Sequence, residues 1–382
     1  MKNLKLIFPP LIIIILTILA LFYFWPKNDK YNINQELSDI NNLANITPEQ
    51  MLETMTLEDK VGQMLMVGFW GTEPDYYISK MINERNIGGV ILMKYNFADS
   101  EQTKILINKL QTMSMETNPG IPLFISVDQE GGIVSRVKVD GVEEFTSQPD
   151  IKTAEQAYSV AEKRAKELMT LGININLSPV LDVISNQESF LYNRVFRGDL
   201  DNFSTLGQSM INGYHSGGII AVPKHFPGHD NSSVDSHQDL PTIYMTKTEL
   251  DNRLQPFKEI IEKSNPKMLM VGHVVYQNID NDPASLSNIF IRDILKKQLG
   301  YNGIIITDDM EMGALINNFS NIEAAVKAIQ AGNDILLYTS TPEDQAEAYN
   351  AIIQAANDGK ISIEQINASV LKILKLKKEF KI

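Results

Sequence analysis

From Thr56 onward, short apolar runs alternate with segments that have the spacing of amphipathic helices. This alternation predicts a parallel sheet whose strands are joined by helical crossovers. The runs that qualify as strands are residues 61–69, 89–93, 122–128, 173–183, 218–223, 267–273, 303–308 and 334–338. Eight such units predict an α/β fold of the (β/α)8 TIM-barrel type, with an open doubly wound sheet as the alternative.

Two of the intervening segments carry helix start signals. Thr153 and Gln156 match a capping box ahead of an apolar stripe, and Gly172 is expected to end that helix. Ser362 and Gln365 repeat the pattern ahead of the last apolar stripe. We expect this last helix to close a single barrel domain over residues 48–382.

Polar side chains follow most of the predicted strands at the point where each strand ends. They are Asp128, Gln129, Glu130, Asp182, Lys224, His225, His273, Asp308 and Asp309. In a barrel the carboxyl ends of the strands surround one opening, where active sites lie, whereas an open sheet would spread them along an edge. The polar residues therefore favour the barrel.

The N-terminal segment predicts a membrane anchor. Lys2 and Lys5 precede an uncharged run, residues 6–25, about as long as a helix that spans the hydrocarbon core. Bulky aromatic residues close this run, where a cleavage site would have small ones. We expect an uncleaved single-pass transmembrane helix within residues 1–27 and a polar linker over 28–47. The barrel would then lie on the extracytoplasmic side of the cell membrane.

Charge and cysteine content restrict the possible partners. The chain of 382 residues has 34 basic and 47 acidic side chains, which gives a net charge of -13. Because nucleic acids are bound by lysine and arginine that neutralise phosphates, we expect no nucleic-acid partner. The chain contains no cysteine, which excludes disulfides, thiolate metal sites and a cysteine nucleophile.

Three of the five histidines lie close together after the fifth predicted strand. His225, His229 and His237, together with Asp235, are possible zinc ligands. However, Pro227 lies between the first two histidines and would break the helix on which an i, i+4 pair shares a face. We therefore expect no metal ion at these residues.

The other explanation for the histidines is acid–base chemistry. A carboxylate at Asp235 is spaced to orient the imidazole of His237, which can then transfer a proton near neutral pH. An Asp-x-His pair can also simply brace a surface loop. Taken alone, the motif leaves both interpretations open.

A longer pattern around these residues resembles a known family. Residues 224–229 read KHFPGH, residues 235–237 read DSH and residues 240–241 read LP, which is similar to the signature loop of β-N-acetylhexosaminidases in glycoside hydrolase family 3. Other stretches that resemble the family, in family order, are residues 128–132, 179–183, 272–274, 283–287 and 306–310. The resemblance covers about residues 50–382 and implies a single catalytic barrel.

The resemblance also implies roles for individual residues. Asp308 matches the nucleophile that attacks the anomeric carbon, and His237, assisted by Asp235, matches the general acid and base. A covalent glycosyl-enzyme would form and then be hydrolysed with retention of configuration. Asp309 is the rival nucleophile, but the family pattern and the alternation of side chains along a strand favour Asp308.

Sugar recognition is expected to use charged side chains that make paired hydrogen bonds with hydroxyl and N-acetyl groups. The residues that match the family's contacts are Asp128, Arg136, Arg194, Lys224, His225 and His273. The alternative is that these residues form structural salt bridges across the barrel opening. Departures from the family pattern at Ile133, Asp230 and residues 193–196 put substrate preference in doubt more than reaction type.

The resemblance implies a carbohydrate-active enzyme without a cofactor. We expect it to hydrolyse terminal β-linked N-acetylglucosamine, with peptidoglycan fragments such as muropeptides as the substrates. Phosphorolysis of the same bond and a β-glucosidase or β-xylosidase activity are the alternatives among enzymes. A noncatalytic cell-wall-binding protein that keeps the barrel is the alternative outside enzymes.

Overall fold

Eight parallel strands form the central sheet of the chain, which is described by a computed structural model over residues 46–230, 232 and 234–382. In chain order the strands are Leu65–Val67, Gly89–Leu92, Phe124–Val127, Ile175–Asn176, Ile220–Ala221, Met268–Val271, Ile304–Asp309 and Ile335–Tyr338. We number them one to eight. Each predicted run overlaps one of these strands, so the predicted alternation is confirmed.

The order of the strands across the sheet is five, four, three, two, one, eight, seven, six. The two ends of this order are joined just beyond strand five, where Phe226 pairs with Val271. The N–H of Met270 donates to the carbonyl oxygen of Pro223 at 3.0 Å, and the N–H of Gly272 donates to that of Phe226 at 2.8 Å. The sheet is therefore a nearly closed TIM-type barrel rather than an open doubly wound sheet.

Helices connect successive strands. The α-helices are Pro48–Thr54, Leu57–Gln63, Tyr76–Arg85, Ser100–Met115, Ala154–Met169, Leu200–Ser216, Lys247–Arg253, Gln255–Ser264, Gly313–Ile316, Asn321–Ala331, Pro342–Asn357 and Ile363–Glu379. Ile289–Gln298 is wound as a π-helix. Their apolar faces and the strands share one continuous core.

Local start signals were predicted well, but some strand boundaries were not: only residues 175–176 of the predicted run 173–183 form a strand. Thr153 accepts a hydrogen bond from the backbone N–H of Gln156, as predicted, while the Gln156 side chain accepts from the N–H of Lys152. The predicted run 61–69 begins too early. Residues 61–63 are the last turn of helix Leu57–Gln63, which a capping box at Thr56 starts.

Two small sheets extend the barrel beyond the carboxyl ends of its strands. Gln129–Gly131 and Val134–Ser135 form an antiparallel hairpin directly after strand three. Thr242–Ile243 pairs in parallel with Val275–Tyr276, which follows strand six. These additions hold the loops that follow strands three, five and six.

The predicted anchor, residues 1–27, and all but the last two residues of the predicted linker lie outside the described residues. None of the helices in the described part of the chain combines the length and the apolar character that a membrane span requires.

Candidate active site

Asp308 lies at the carboxyl end of strand seven, and its side chain is largely buried. Its Oδ1 accepts the backbone N–H of Asp309 at 2.9 Å, and its Oδ2 lies 3.9 Å from Nε2 of His225. Burial alone would raise the pKa of Asp308, but His225, His273 and Lys224 hold the pKa of this carboxyl well below its usual range. Asp308 is therefore ionised at neutral pH, as a nucleophile must be.

Asp309 faces a different environment from Asp308. Its Oδ2 accepts a hydrogen bond from the hydroxyl of Thr339 at 2.6 Å, and its Oδ1 accepts the N–H of Glu311 at 3.1 Å. Burial, reinforced by the charges of Glu311 and Asp308, raises the pKa of Asp309 to about 7. Asp308 lines the cavity described below, whereas Asp309 does not. The geometry thus favours Asp308 over its predicted rival.

Asp182 and the two histidines that it orients, His225 and His229, form a buried cluster. Oδ2 of Asp182 accepts the backbone N–H of His225 at 3.0 Å and contacts its Nδ1 at 2.7 Å. Oδ1 accepts the backbone N–H of His229 at 2.7 Å and contacts its Nδ1 at 2.9 Å. Burial opposes ionisation of Asp182, but the histidines hold its pKa well below the usual range.

These contacts fix the proton of each histidine on Nδ1, because the ionised Asp182 can only accept. The Nε2 atoms are then acceptors. Nε2 of His229 is buried and has no hydrogen-bond partner among the described residues. Burial also lowers the pKa of His225 despite the opposing charge of Asp182, so this ring is neutral at neutral pH. A sugar hydroxyl can donate to such a nitrogen.

The buried cluster is also the place where a metal ion would have to be considered. One ligand atom from each of its residues lies within 4.8 Å of the others. The Nδ1 atoms, however, carry the protons that Asp182 accepts, so binding a cation there would require these hydrogen bonds to break. The donor set fits an oriented pair of histidines better than it fits a metal site.

The ion-pair network, Asp128, Glu130, Arg194 and Lys224, lies beside this cluster. Nζ of Lys224 lies 2.5 Å from Asp128 Oδ1 and 2.7 Å from Glu130 Oε1. Arg194 donates from two nitrogens to the two carboxylate oxygens of Glu130, at 2.9 and 2.8 Å. Burial opposes ionisation of Glu130, but Arg194 and Lys224 lower its pKa to about 2. These side chains therefore form the structural ion pairs that were predicted as the alternative to sugar binding, and they also line the cavity described below.

Two other predicted sugar contacts lie in different settings. Arg136 lines the cavity, and its buried Nε has no hydrogen-bond partner among the described residues. His273 is buried, with Nδ1 at 2.7 Å from Oγ of Ser285 and Nε2 at 3.0 Å from the carbonyl oxygen of Asp309. Both nitrogens of His273 are therefore used inside the protein. This geometry supports a role in holding the main chain beside Asp308 rather than the predicted sugar contact.

Asp235 and His237 lie on the loop of residues 234–241, which we name the acid–base loop after its predicted role. Nδ1 of His237 is 2.7 Å from Oδ1 of Asp235, which also accepts the backbone N–H of His237 at 3.0 Å. The side chain of His237 is 60% exposed. Burial opposes ionisation of Asp235, but the hydrogen bonds from His237 together with its charge lower the pKa of this carboxyl. The carboxylate therefore fixes the proton on Nδ1 and leaves Nε2 to exchange one with a substrate.

The acid–base loop is attached to the segment that follows Asp308. The N–H groups of Gly313 and Ala314 donate to the carbonyl oxygens of His237 (3.3 Å) and Ser236 (3.1 Å). A Cβ on Gly313 would lie 2.5 Å from the carbonyl oxygen of Gln238, closer than packed atoms allow. Only glycine therefore lets helix Gly313–Ile316 approach the loop.

These groups surround one cavity of about 260 Å³ at the carboxyl end of the barrel. Its lining side chains are those of Asp128, Glu130, Ile133, Val134, Arg136, Phe190, Arg194, Lys224, His225, His229, Ser236, His237 and Asp308. This volume lies just below the range of about 300–1,000 Å³ that is common for ligand pockets, so the cavity has room for one sugar ring. A larger groove, between helices Asn321–Ala331 and Pro342–Asn357, lies outside the barrel and away from these groups.

The sequence placed Asp182 and Glu130 at the barrel opening and made His229 a possible zinc ligand, but it gave none of them, nor Gly313, a role in the reaction or in sugar binding. Asp182 did carry a signal, since a carboxylate inside an apolar run must find hydrogen-bond donors when it is buried. The donors themselves were not predictable, because His225 and His229 lie far from Asp182 along the chain. The ring of Phe190 was also missed. It stands edge-on to both His229 and His237, with centroids 5.6 and 5.9 Å apart.

Comparison with known proteins identifies a family that this chain matches. Residues 56–376 match the profile described as the glycosyl hydrolase family 3 N-terminal domain. Beta-hexosaminidase A of Pseudoalteromonas piscicida is 32% identical over 326 residues, which cover 78% of this chain and 54% of that protein. A beta-hexosaminidase of Psychromonas ingrahamii is 34% identical over 278 residues, which cover 70% of this chain and 80% of that protein.

A solved structure with a similar fold is a glycoside hydrolase family 3 beta-N-acetylglucosaminidase from Paenibacillus sp. str. FPU-7. It has a TM-score of 0.81 and 36% sequence identity, and the match covers 86% of this chain and 63% of that one. This chain therefore spans about half the length of the Pseudoalteromonas relative and under two thirds of the Paenibacillus structure.

Proposed function

Because the chain belongs to glycosyl hydrolase family 3, we propose that it is a retaining glycosidase that removes terminal β-linked N-acetylglucosamine. One observation carries this proposal. The ionised Asp308 and the Asp235-oriented His237 line the same small cavity, beside charged groups suited to sugar hydroxyls. The names of the two relatives support a hexosaminidase, and the name of the Paenibacillus structure supports N-acetylglucosamine as the sugar.

The reaction follows from the two side chains. Asp308 attacks the anomeric carbon while protonated His237 gives its Nε2 proton to the departing glycosidic oxygen. Asp235 stabilises the charged imidazole before the transfer and keeps the neutral ring in the required tautomer afterwards. His237 then removes a proton from water, whose oxygen displaces Asp308 from the sugar. Two displacements at one carbon retain its configuration.

The sugar is held by the remaining cavity groups. Lys224 and Arg194 donate to hydroxyl oxygens, while Asp128 and the Nε2 atom of His225 accept from hydroxyl groups. Arg136 offers its unpartnered Nε to an oxygen of the ligand, for which the N-acetyl carbonyl is suited. Because Glu130 already pairs with Arg194 and Lys224, these cations are held in place before the sugar arrives.

Hydrolysis of 4-nitrophenyl N-acetyl-β-glucosaminide by the full chain tests the proposal. We expect β-configured N-acetylglucosamine as the first product in the NMR spectrum, and a loss of about four orders of magnitude in kcat for Asp308→Ala. Asp293→Ala, an exposed carboxylate on the π-helix, is the matched control. An inactive parent protein, an α-configured product, or an Asp308→Ala variant with full activity would each refute the mechanism. Equal turnover of 4-nitrophenyl β-glucoside or β-xyloside would refute the preference for the N-acetyl group.

Phosphorolysis is the second candidate, and one observation favours it. The acid–base group is a histidine, which adds no negative charge that would repel an incoming phosphate, and Arg136 has a free Nε in the same cavity. Assays with and without phosphate distinguish the reactions. Phosphate-dependent turnover with release of N-acetylglucosamine 1-phosphate would establish phosphorolysis, whereas turnover in phosphate-free buffer supports hydrolysis.

Location is the last part of the proposal. The uncharged run at 6–25 behind Lys2 and Lys5 supports a single-pass anchor with the barrel on the extracytoplasmic side. There the enzyme would meet peptidoglycan fragments such as muropeptides. N-terminal mass analysis of the membrane fraction tests this location. An intact Met1–Lys27 segment in active membrane-bound protein supports the anchor, and active protein cleaved after the run would refute it.

A further inference from the structure

An aromatic pair, the exposed Trp70 and the half-buried Tyr95, lies at the same end of the barrel as the candidate active site. Trp70 follows strand one and Tyr95 follows strand two, beyond the carboxyl end of each strand. The two rings are stacked, with centroids 3.9 Å apart and planes 16° from parallel. Trp70 is nevertheless 58% exposed. We name Trp70 and Tyr95 the platform.

The platform is held in place by its surroundings. The buried side chain of Asn96 donates to the carbonyl oxygens of Phe69 (3.0 Å) and Gly71 (2.6 Å), the two neighbours of Trp70 in the chain. The hydroxyl of Tyr95 donates to the carbonyl oxygen of Thr339 at 3.3 Å. A single exposed aromatic residue on a protein surface needs no explanation. A stacked and braced pair at the barrel opening has little conformational freedom left to lose on binding.

Hydrogen bonds connect the platform to the nucleophile. Thr339, which accepts from Tyr95, donates through its hydroxyl to Asp309, and the N–H of Asp309 donates to Asp308. Burial and two nearby carboxylates raise the pKa of Tyr95 to about 12, while the cavity-lining Arg136 guanidinium opposes that rise. The platform therefore lies at the same end of the barrel as Asp308 and is connected to it by hydrogen bonds through Thr339 and Asp309.

The size of the cavity leaves the second sugar outside it. A space of about 260 Å³ takes the terminal residue, so the group on the other side of the scissile bond must lie across the rim. A pyranose ring presents one face of C–H groups that stacks on the electron-rich face of an aromatic ring. Trp70 offers such a face, because Tyr95 covers the other side of its indole.

Building on the function proposed above, we propose that the Trp70 face binds the sugar ring of the leaving group. The enzyme then distinguishes a glycan from a simple glycoside by contacts outside the cavity. Trp70 takes no part in bond breaking and sets substrate preference.

Trp70→Ala in the full chain tests this binding site on two substrates. They are N,N′-diacetylchitobiose, whose leaving group is a sugar, and methyl N-acetyl-β-glucosaminide, whose leaving group has no ring. We expect the ratio of the two kcat/KM values to fall about tenfold in Trp70→Ala and to be largely kept in Trp70→Phe. The control is Tyr158→Ala, which removes an exposed aromatic residue from the outer helix Ala154–Met169. An unchanged ratio in Trp70→Ala would overturn the proposal.

A binding measurement separates this proposal from the proposed function. In the Asp308→Ala background, calorimetry should give a Kd for N,N′-diacetylchitobiose about tenfold weaker when Trp70 is also replaced by alanine, while the Kd for N-acetylglucosamine changes far less. If the parent protein is inactive but its disaccharide binding depends on Trp70, the platform is supported and the proposed enzymatic function is refuted. If the parent protein is active but replacing Trp70 does not change the Kd for the disaccharide, only the proposal about the platform is refuted.

Discussion

Two histidines that line the same cavity are each joined to an aspartate by a contact of the same length. Asp182 and His225 are joined at 2.7 Å, and so are Asp235 and His237. The first pair is buried, whereas the His237 side chain is 60% exposed. Each aspartate fixes the same tautomer, but burial keeps His225 neutral while His237 can exchange protons with water. The contrast shows that an aspartate partner can set the orientation of a histidine without setting its role.

The largest expected effect separates the roles of the two histidines. His237→Ala should lower kcat on N,N′-diacetylchitobiose about 10²–10⁴-fold, because proton transfer to the leaving oxygen is lost. Azide should restore part of the turnover of 4-nitrophenyl N-acetyl-β-glucosaminide, since this leaving group needs no proton and azide replaces activated water. His225→Ala should lose activity without rescue, because it removes a sugar contact. Equal rescue of both variants in a steady-state assay would remove the contrast.

The next effect concerns stability and distinguishes the two aspartates. Asp182→Ala leaves four N–H groups of a buried cluster without their acceptor, so we expect a loss of about 3–5 kcal/mol in the free energy of unfolding. Asp235→Ala lies on an exposed loop and should change that free energy by less than about 0.5 kcal/mol while still lowering kcat. Urea unfolding of both variants makes the measurement. Similar losses would show that the acid–base loop is as integral to the fold as the cluster.

Attachment of the acid–base loop can be tested with a single methyl group. Gly313→Ala places a Cβ 2.5 Å from the carbonyl oxygen of Gln238, so the loop must move away from the nucleophile. We expect kcat to fall about tenfold, in line with the cost of small misplacements, while the Kd for N-acetylglucosamine stays near that of the parent. Asn317→Ala, which removes only a hydrogen bond to Gln238, should cost less. Parent-like kcat in Gly313→Ala would mean that this contact does not position His237.

The smallest effect is a pH dependence at Asp309. Its pKa rises from 3.8 to about 7 on folding, so between these values the folded chain holds more protons at this site than the unfolded chain. The stability that it contributes is full below the lower value and falls as pH rises toward the higher one. Relative to the parent, Asp309→Asn should therefore gain a few degrees in Tm between about pH 4 and about pH 7. Parallel Tm curves in calorimetry would contradict this assignment.

The sequence predicted the barrel because its signal is repeated in every unit. Apolar runs, helix start signals and polar strand ends agree with one another, so an error such as the early start of the first run does not change the fold. Strand ends also placed Lys224 and Asp308 at one opening of the barrel. These predictions depend only on the direction and number of the strands.

Side-chain direction could not be predicted in the same way. His273 and His225 both follow strand ends, yet the ring of His273 turns inward to Ser285 and the main chain of Asp309. Asp182 is likewise defined by partners that lie beyond the next strand. Such contacts depend on packing between units, which periodicity within one unit does not encode.

The hydrogen bonds between Gly313, Ala314 and the acid–base loop have a consequence for protein engineering. The loop leaves the barrel after strand five but is fixed by hydrogen bonds to the segment after strand seven. It therefore has two points of attachment, on either side of strand six. Grafting a loop from another enzyme would therefore require residues 313–317 to be exchanged with it, as one cassette. A transplanted loop without this second attachment would carry a histidine that has no fixed position relative to the sugar.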